Sequence, residues 1–181
     1  MNIDNLFSLT LLSIKVDNWE EKKKNILDRS NNFEWVESIN TNYDPHGGDL
    51  MDVQNIFSNE IKQIEETVEK ELKVSGSWVE RAEKGMYHRL HNHGQLGLSA
   101  ICYMEFDNTE HKPVVFVSPW KDTFNGNIVL AESGEMTEGT ILVFPSFLEH
   151  FTDPNQSDKV RTSLSFNLKI YAQTKAELER I

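Results

Sequence analysis

Val160-Arg-Thr-Ser-Leu-Ser-Phe-Asn-Leu-Lys-Ile170 is the stretch on which the fold turns. Successive side chains of a strand point to opposite faces. One face then holds Val160, Thr162, Leu164, Phe166, Leu168 and Ile170, five of the six apolar. The other holds Arg161, Ser163, Ser165, Asn167 and Lys169. The pattern predicts a half-buried strand over 160–171. Its polar face has two readings. It is the wet outside of a sheet, or, in a small barrel or jelly roll, the wall of a ligand cavity lined by short side chains with an arginine at one end. The alternation alone fits both.

Upstream, Gly76, Gly85, Gly94, Gly97, Gly126, Gly134 and Gly139 punctuate further short strands. These are Trp78–Glu83, Tyr87–His93, Leu98–Phe106, Val114–Val117, Ile128–Ala131 and Thr140–Phe144. Seven short strands without intervening helices predict a sandwich or an open barrel. Before residue 76 the chain differs. Phe7–Val16 reads as a strand and Asn18–Asp28 as a short helix capped by Asp17 or Asn18. Residues 31–48 read as loop. Val53, Ile56, Phe57, Ile61, Ile64, Val68 and Leu72 recur at spacings of three and four. That is the apolar stripe of one helix from about residue 50 to 73, packed on a sheet. The expected architecture is an all-β core with flanking helices in a single domain, 1–181. Residues 1–75 support it and residues 76–181 form its core.

Composition bounds the function. Of 181 residues, 38% are hydrophobic and 26% charged, which suits a globular domain with a real core. No apolar run approaches the ~20 residues of a membrane-spanning helix, and the start lacks the features of a signal peptide. Eighteen basic against 29 acidic side chains give −11, the wrong sign for non-specific nucleic-acid binding. The single cysteine, Cys102, lies in an apolar run and reads as a small core residue. With no internal disulfide available, a reducing, cytoplasmic location is expected.

Six histidines are present, three of them in His88-Arg-Leu-His91-Asn-His93. Two residues apart on a strand, His91 and His93 would point the same way and converge on one ion. His88, at an odd offset, would face away. His-x-His is weak evidence alone. His150 follows a buried strand that breaks at Pro145, which puts it at a sheet edge. A third neutral imidazole there would complete a three-nitrogen site with open positions. Arg161 opens the polar-faced strand. A guanidinium in a cavity needs an anionic partner, and its planar fork matches a carboxylate. Ser163 on the same face adds a hydroxyl. The set describes a metal site beside a carboxylate receptor, suited to a chelated keto-acid.

Five segments then carry a resemblance, in order: Ser77-Trp-Val-Glu-Arg, His91-Asn-His, Leu98-Ser-Ala-Ile-Cys-Tyr, Gly139-Thr-Ile-Leu-Val-Phe-Pro-Ser-Phe-Leu-Glu-His and Arg161-Thr-Ser-Leu-Ser-Phe-Asn. Over Trp78–Asn167 the chain resembles the 2-oxoglutarate- and Fe(II)-dependent oxygenases of the double-stranded β-helix (jelly-roll, cupin-like) fold. It is most similar to a group from bacteria and their phages. The resemblance implies an oxidoreductase, a dioxygenase using Fe(II), 2-oxoglutarate and O2 to hydroxylate a C–H bond of a small-molecule or peptidyl substrate. It implies His91 and His150 as metal ligands with His93 between them. It implies Arg161 and Ser163 on the far carboxylate of 2-oxoglutarate, joined by the hydroxyl of Tyr103. One departure stands out: the wider superfamily has Asp or Glu where this chain has His93. Imidazole brings no charge to iron. Another carboxylate, such as Asp153 or Glu149, would have to supply it, though neither of these has the right strand position. Residues 31–48 and 120–127, with Tyr43, His46, Trp120 and Phe124, are the segments expected to choose the substrate. The rival reading is a cupin-like three-histidine metal protein without 2-oxoglutarate. It predicts Arg161 salt-bridged to a protein carboxylate.

Overall fold

The computed structural model describes residues 8–32 and 40–171. In chain order they form β1 (Leu12–Lys15), α1 (Trp19–Ser30), α2 (Val53–Ile56), α3 (Ser58–Val68), β2 (Leu72–Ala82), β3 (Leu98–Glu105), β4 (Val115–Lys121), β5 (Ile128–Glu132), β6 (Thr140–Pro145), β7 (His150–Phe151) and β8 (Arg161–Ile170). The strands make a five-stranded sheet in the order β1-β6-β3-β8-β2 and a three-stranded sheet in the order β5-β4-β7. Every pairing is antiparallel.

The alternation of β8 decides what each face of the large sheet touches. Leu164, Phe166 and Leu168 are buried against Val74, Val79, Cys102, Met104, Ile141 and Val143 of neighbouring strands, and against Ile26, Phe57, Ile61 and Ile64 of the helices. Each such side chain contributes roughly 1.5–3 kcal/mol on leaving water. Thr162 joins this face through a hydrogen bond to the Glu105 carboxylate. Val160 lies before the strand and is exposed. Cys102 is fully buried, and burial pushes its thiol well above the ordinary range, as a core residue requires. The opposite face of the sheet packs on the small sheet through a second cluster that includes Tyr103, Phe106, Phe116, Leu142, Phe144 and Leu148. Arg161, Ser163 and Ser165 point into a cavity at the open end of this layer. Of the two readings of the polar face, the cavity wall is the one the fold realises.

Gly97, with φ 95°, lets β3 start beside β8. A Cβ there would sit 2.5 Å from the Leu168 carbonyl oxygen, so no side chain fits.

Four expectations need correction. The helix over residues 50–73 is two helices broken at Phe57, and the chain leaves α3 at Glu69 with φ 55°. Leu72 already belongs to β2, where it is buried. The Asp49 carboxylate fixes the start of α2 by accepting the Val53 and Gln54 N–H groups. The Glu65 carboxylate draws β2 in by accepting the Leu72 N–H at 2.8 Å. Periodicity misses this switch because an apolar Leu72 suits a helix stripe and a strand face alike. Second, Asn18 does precede α1, but it is left-handed, at φ 51°, and makes no side-chain cap bond. Third, residues 87–93 are not a strand; their regular pairing is one isolated bridge between His91 and His150. Fourth, the first strand is only Leu12–Lys15; Phe7 and, in the expected loop, residues 33–39 lie outside the described residues.

Candidate metal centre

Register builds the cavity floor row by row across three strands. Trp78 of β2 lies beside Ser165 of β8, which lies beside Ile101 of β3. One row on, Glu80, Ser163 and Tyr103 stand side by side. Ala82 and Arg161 make the third row. The eight remaining wall positions come from outside the large sheet, and His88, His91, His93 and His150 are among them. The six residues singled out in the sequence, His91, His93, His150, Arg161, Ser163 and Tyr103, thus line one cavity.

The histidine segment is held by main-chain bonds rather than by a sheet. His91 and His150 exchange both backbone bonds, at 3.0 and 2.9 Å. The His93 N–H donates to the Ser146 carbonyl at 2.9 Å, and the Thr152 N–H to the His88 carbonyl at 3.1 Å. His150 itself pairs with Phe116 of β4. Residues 88–93 therefore run antiparallel to 146–152, which brings the two ends of the motif together.

Each of His91, His93 and His150 offers a nitrogen, and these atoms lie within 4.8 Å of one another. Among the described residues they are the one group of three or more His, Cys, Asp or Glu arranged to hold an ion. Their chemistry fits. The Nδ1–H of His91 donates to the Arg89 carbonyl at 2.7 Å, and that of His150 to the Leu148 carbonyl at 2.8 Å. These bonds fix the tautomer and leave Nε2 as a lone-pair donor. Burial lowers all three basicities, His93 to about 4 and His150 to about 3. The rings are neutral at pH 7, as ligation requires.

Arg161 is 6% exposed. Its guanidinium donates to the carbonyls of Lys112, at 3.1 Å, and Asp153, at 3.3 Å, and makes no ion pair among the described residues. Burial lowers its basicity, and the negative charge of Glu80 opposes that shift most. The Tyr103 hydroxyl accepts the Val114 N–H at 3.2 Å, and burial raises its pKa. Neither Asp153 nor Glu149 brings a carboxylate into the cavity; both are exposed.

Two neighbours escaped the sequence reading. His88 does not face away. Its ring stacks on His91, centroids 4.1 Å apart and planes 15° apart, and its Nδ1–H donates to Glu80 Oε2 at 2.7 Å. The odd-offset argument assumed a continuous strand, and there is none. The one sequence signal for Glu80 is its place two residues past Trp78, on a strand whose alternate positions face inward. Beyond the histidines a cleft opens between Thr41, Tyr43, Trp78 and Asn92. Tyr43 packs edge-on against Trp78 at 4.9 Å, and Trp78 lies 5.5 Å from His93. Trp120 and Phe124, expected near substrate, line neither space.

No curated protein matches the sequence. The fold has solved counterparts. A 2OG-Fe(II) oxygenase family oxidoreductase from Burkholderia pseudomallei superposes with TM-score 0.60 at 12% identity, over 87% of this chain and 84% of that one. A prolyl-4-hydroxylase from Pseudomonas putida gives 0.54 at 13%, over 91% and 87%. A non-heme alpha-ketoglutarate-dependent epimerase from nogalamycin biosynthesis gives 0.65 at 13%, over 88% and 76%. These likenesses establish the double-stranded β-helix. The family model described as "Putative 2OG-Fe(II) oxygenase" matches residues 76–167, which is half the chain and includes every cavity residue named from the sequence. By that match the chain belongs to the 2OG-Fe(II) oxygenase family, whose cofactor and co-substrate are Fe(II) and 2-oxoglutarate.

Proposed function

We propose that the protein is a 2-oxoglutarate-dependent Fe(II) hydroxylase in which His91, His93 and His150 ligate the metal. Arg161 receives the far carboxylate of 2-oxoglutarate, with hydroxyls from Ser163 and Tyr103 beside it. The observation that carries this reading is an un-ion-paired, buried guanidinium in the same cavity as three converging neutral imidazoles. A cationic side chain so placed is costly unless an anion completes it. The rival three-histidine protein without 2-oxoglutarate expects Arg161 bound to a protein carboxylate, and among the described residues Arg161 makes no such pair.

Iron, when bound with 2-oxoglutarate and O2, supplies the oxidising chemistry, leaving succinate and CO2 as co-products. The chain's own residues orient and exclude. Arg161 gives the co-substrate one direction in the cavity. The Arg89 and Leu148 carbonyls aim Nε2 of His91 and His150 inward. Phe116 and Phe144 pack against the His150 ring and keep water from its outer side. Substrate, a small molecule or a peptidyl side chain, approaches through the cleft over Tyr43 and Trp78. No acid–base pair is needed for hydrogen abstraction.

The test is anaerobic. Folded protein with Fe(II) and 2-oxoglutarate is expected to develop the weak visible band of a metal-chelated keto-acid. Succinate release on admitting O2 then ranks candidate substrates. Folded protein that shows no band at saturating ligand refutes the proposal.

A further inference from the structure

Three imidazoles bring no charge to a dication, so the site lacks the anion that a carboxylate ligand provides in the wider superfamily. Glu80 stands where that charge can come from. Its side chain is 15% exposed and lies in the floor row with Ser163 and Tyr103. Its Oε2 accepts the His88 Nδ1–H at 2.7 Å, and the His88 ring stacks on His91. It also lines the cleft, beside Thr41 and Trp78. Lys112, the other charged residue at the rim, is exposed and screened by water.

We propose that Glu80, acting through His88, is a positioning residue that supplies the negative charge of the metal site from outside the ligand set and holds the His91 ring in place. The inference rests on the metal assignment proposed above. The charges close with it. A metal dication and the Arg161 guanidinium are three positive charges. The 2-oxoglutarate dianion offsets two, and Glu80 the third. Without Glu80 the loaded cavity would hold one uncompensated positive charge in a buried space. The contact also explains why a carboxylate is tolerated beside an anion receptor: it accepts the hydrogen bond from His88 and makes no ion pair with Arg161.

The experiment uses the full chain and Co(II) as probe, followed by its visible spectrum. Glu80→Gln keeps the acceptor for His88 but removes the charge. It is expected to bind Co(II) about 10- to 100-fold more weakly than the parent, while the metal-saturated variant binds 2-oxoglutarate no less tightly. The Fe(III)/Fe(II) potential of the variant should move positive. Glu80→Asp should restore part of the affinity, which a purely steric role would not. His88→Phe keeps a stacked ring and loses the hydrogen bond, and should bind Co(II) more weakly than the parent; it carries the test if Glu80→Gln does not fold, and parent-like affinity in it then overturns the role. A parent that binds no metal overturns the ligand assignment and this role with it. A parent that binds, with Glu80→Gln equal to it in Co(II) affinity or in potential, overturns the role of Glu80 alone.

Discussion

On the roles proposed above, Arg161→Ala isolates the co-substrate half of the site from the metal half. In the parent the guanidinium is 6% exposed and, among the described residues, donates to two carbonyl oxygens, which on the proposed role leaves its charge for an incoming carboxylate. Two unit charges about 4 Å apart at an effective dielectric of about 20 attract by about 4 kcal/mol. That figure omits the water both groups surrender. Hydrogen bonds to charged partners measured by mutation contribute about 1.5–3 kcal/mol. Taking about 2–3 kcal/mol, 2-oxoglutarate should bind about 30- to 150-fold more weakly to the variant. Metal affinity should stay within about threefold, since no histidine nitrogen touches Arg161. Arg161→Lys keeps the charge without the fork and should fall between the two. The assay is an anaerobic titration of 2-oxoglutarate into Fe(II)-loaded protein, read from the visible band, beside a Co(II) titration without it. Folding is checked by circular dichroism, because two hydrogen bonds to Lys112 and Asp153 are also lost. A folded Arg161→Ala that keeps its 2-oxoglutarate affinity within twofold, or loses metal binding instead, refutes the assignment.

Two further outcomes follow from the same geometry. His93 and His150 have folded-state pKa values of about 4 and about 3, below their ordinary 6.5. Above pH 6.5 neither state of the metal-free protein binds these protons, so nothing is lost. As pH falls below 6.5 the unfolded chain takes protons that the folded chain refuses, and stability drops until the folded values are reached. At pH 5 the His150 ring alone should cost about 2 kcal/mol, visible as a lower Tm at pH 5.0 than at 7.5; an unchanged difference in His150→Gln contradicts the attribution. Gly97→Ala adds a clash with the Leu168 carbonyl to a left-handed backbone, whereas Gly85→Ala, at φ 86°, meets nothing within 4 Å. Thermal melts should place Gly97→Ala lower than Gly85→Ala by several degrees, consistent with at least about 2 kcal/mol; equal melting points would show that β3 shifts freely.

Alternation made the large sheet legible. β8 could be assigned face by face because Leu164, Phe166 and Leu168 leave no other interior, and the same count put Arg161 and Ser163 together. The triad was legible for a less secure reason. His91 and His93 converge as a strand pair would, but they do so through main-chain bonds to Ser146 and His150, partners more than fifty residues away. Such bonds leave no local pattern. That is why the segment was expected to be a strand, and why His88 was placed on its far side. Leu72 shows the same limit at a helix end. Glu80 was passed over because a glutamate on a half-polar strand reads as a wet residue until its neighbour across the sheet is known to be Ser163.

The two-bond bridge between His91 and His150 fastens a segment outside either sheet to the shortest strand of the small one. With the proposed ligands, an ion shared by these side chains would act as a rivet across that joint, spanning a chain loop of 59 residues. Uptake then raises the cost of unfolding by about 2.7 kcal/mol once free ion exceeds its dissociation constant a hundredfold. Iron supply would set both how fast this protein works and how long it survives a protease.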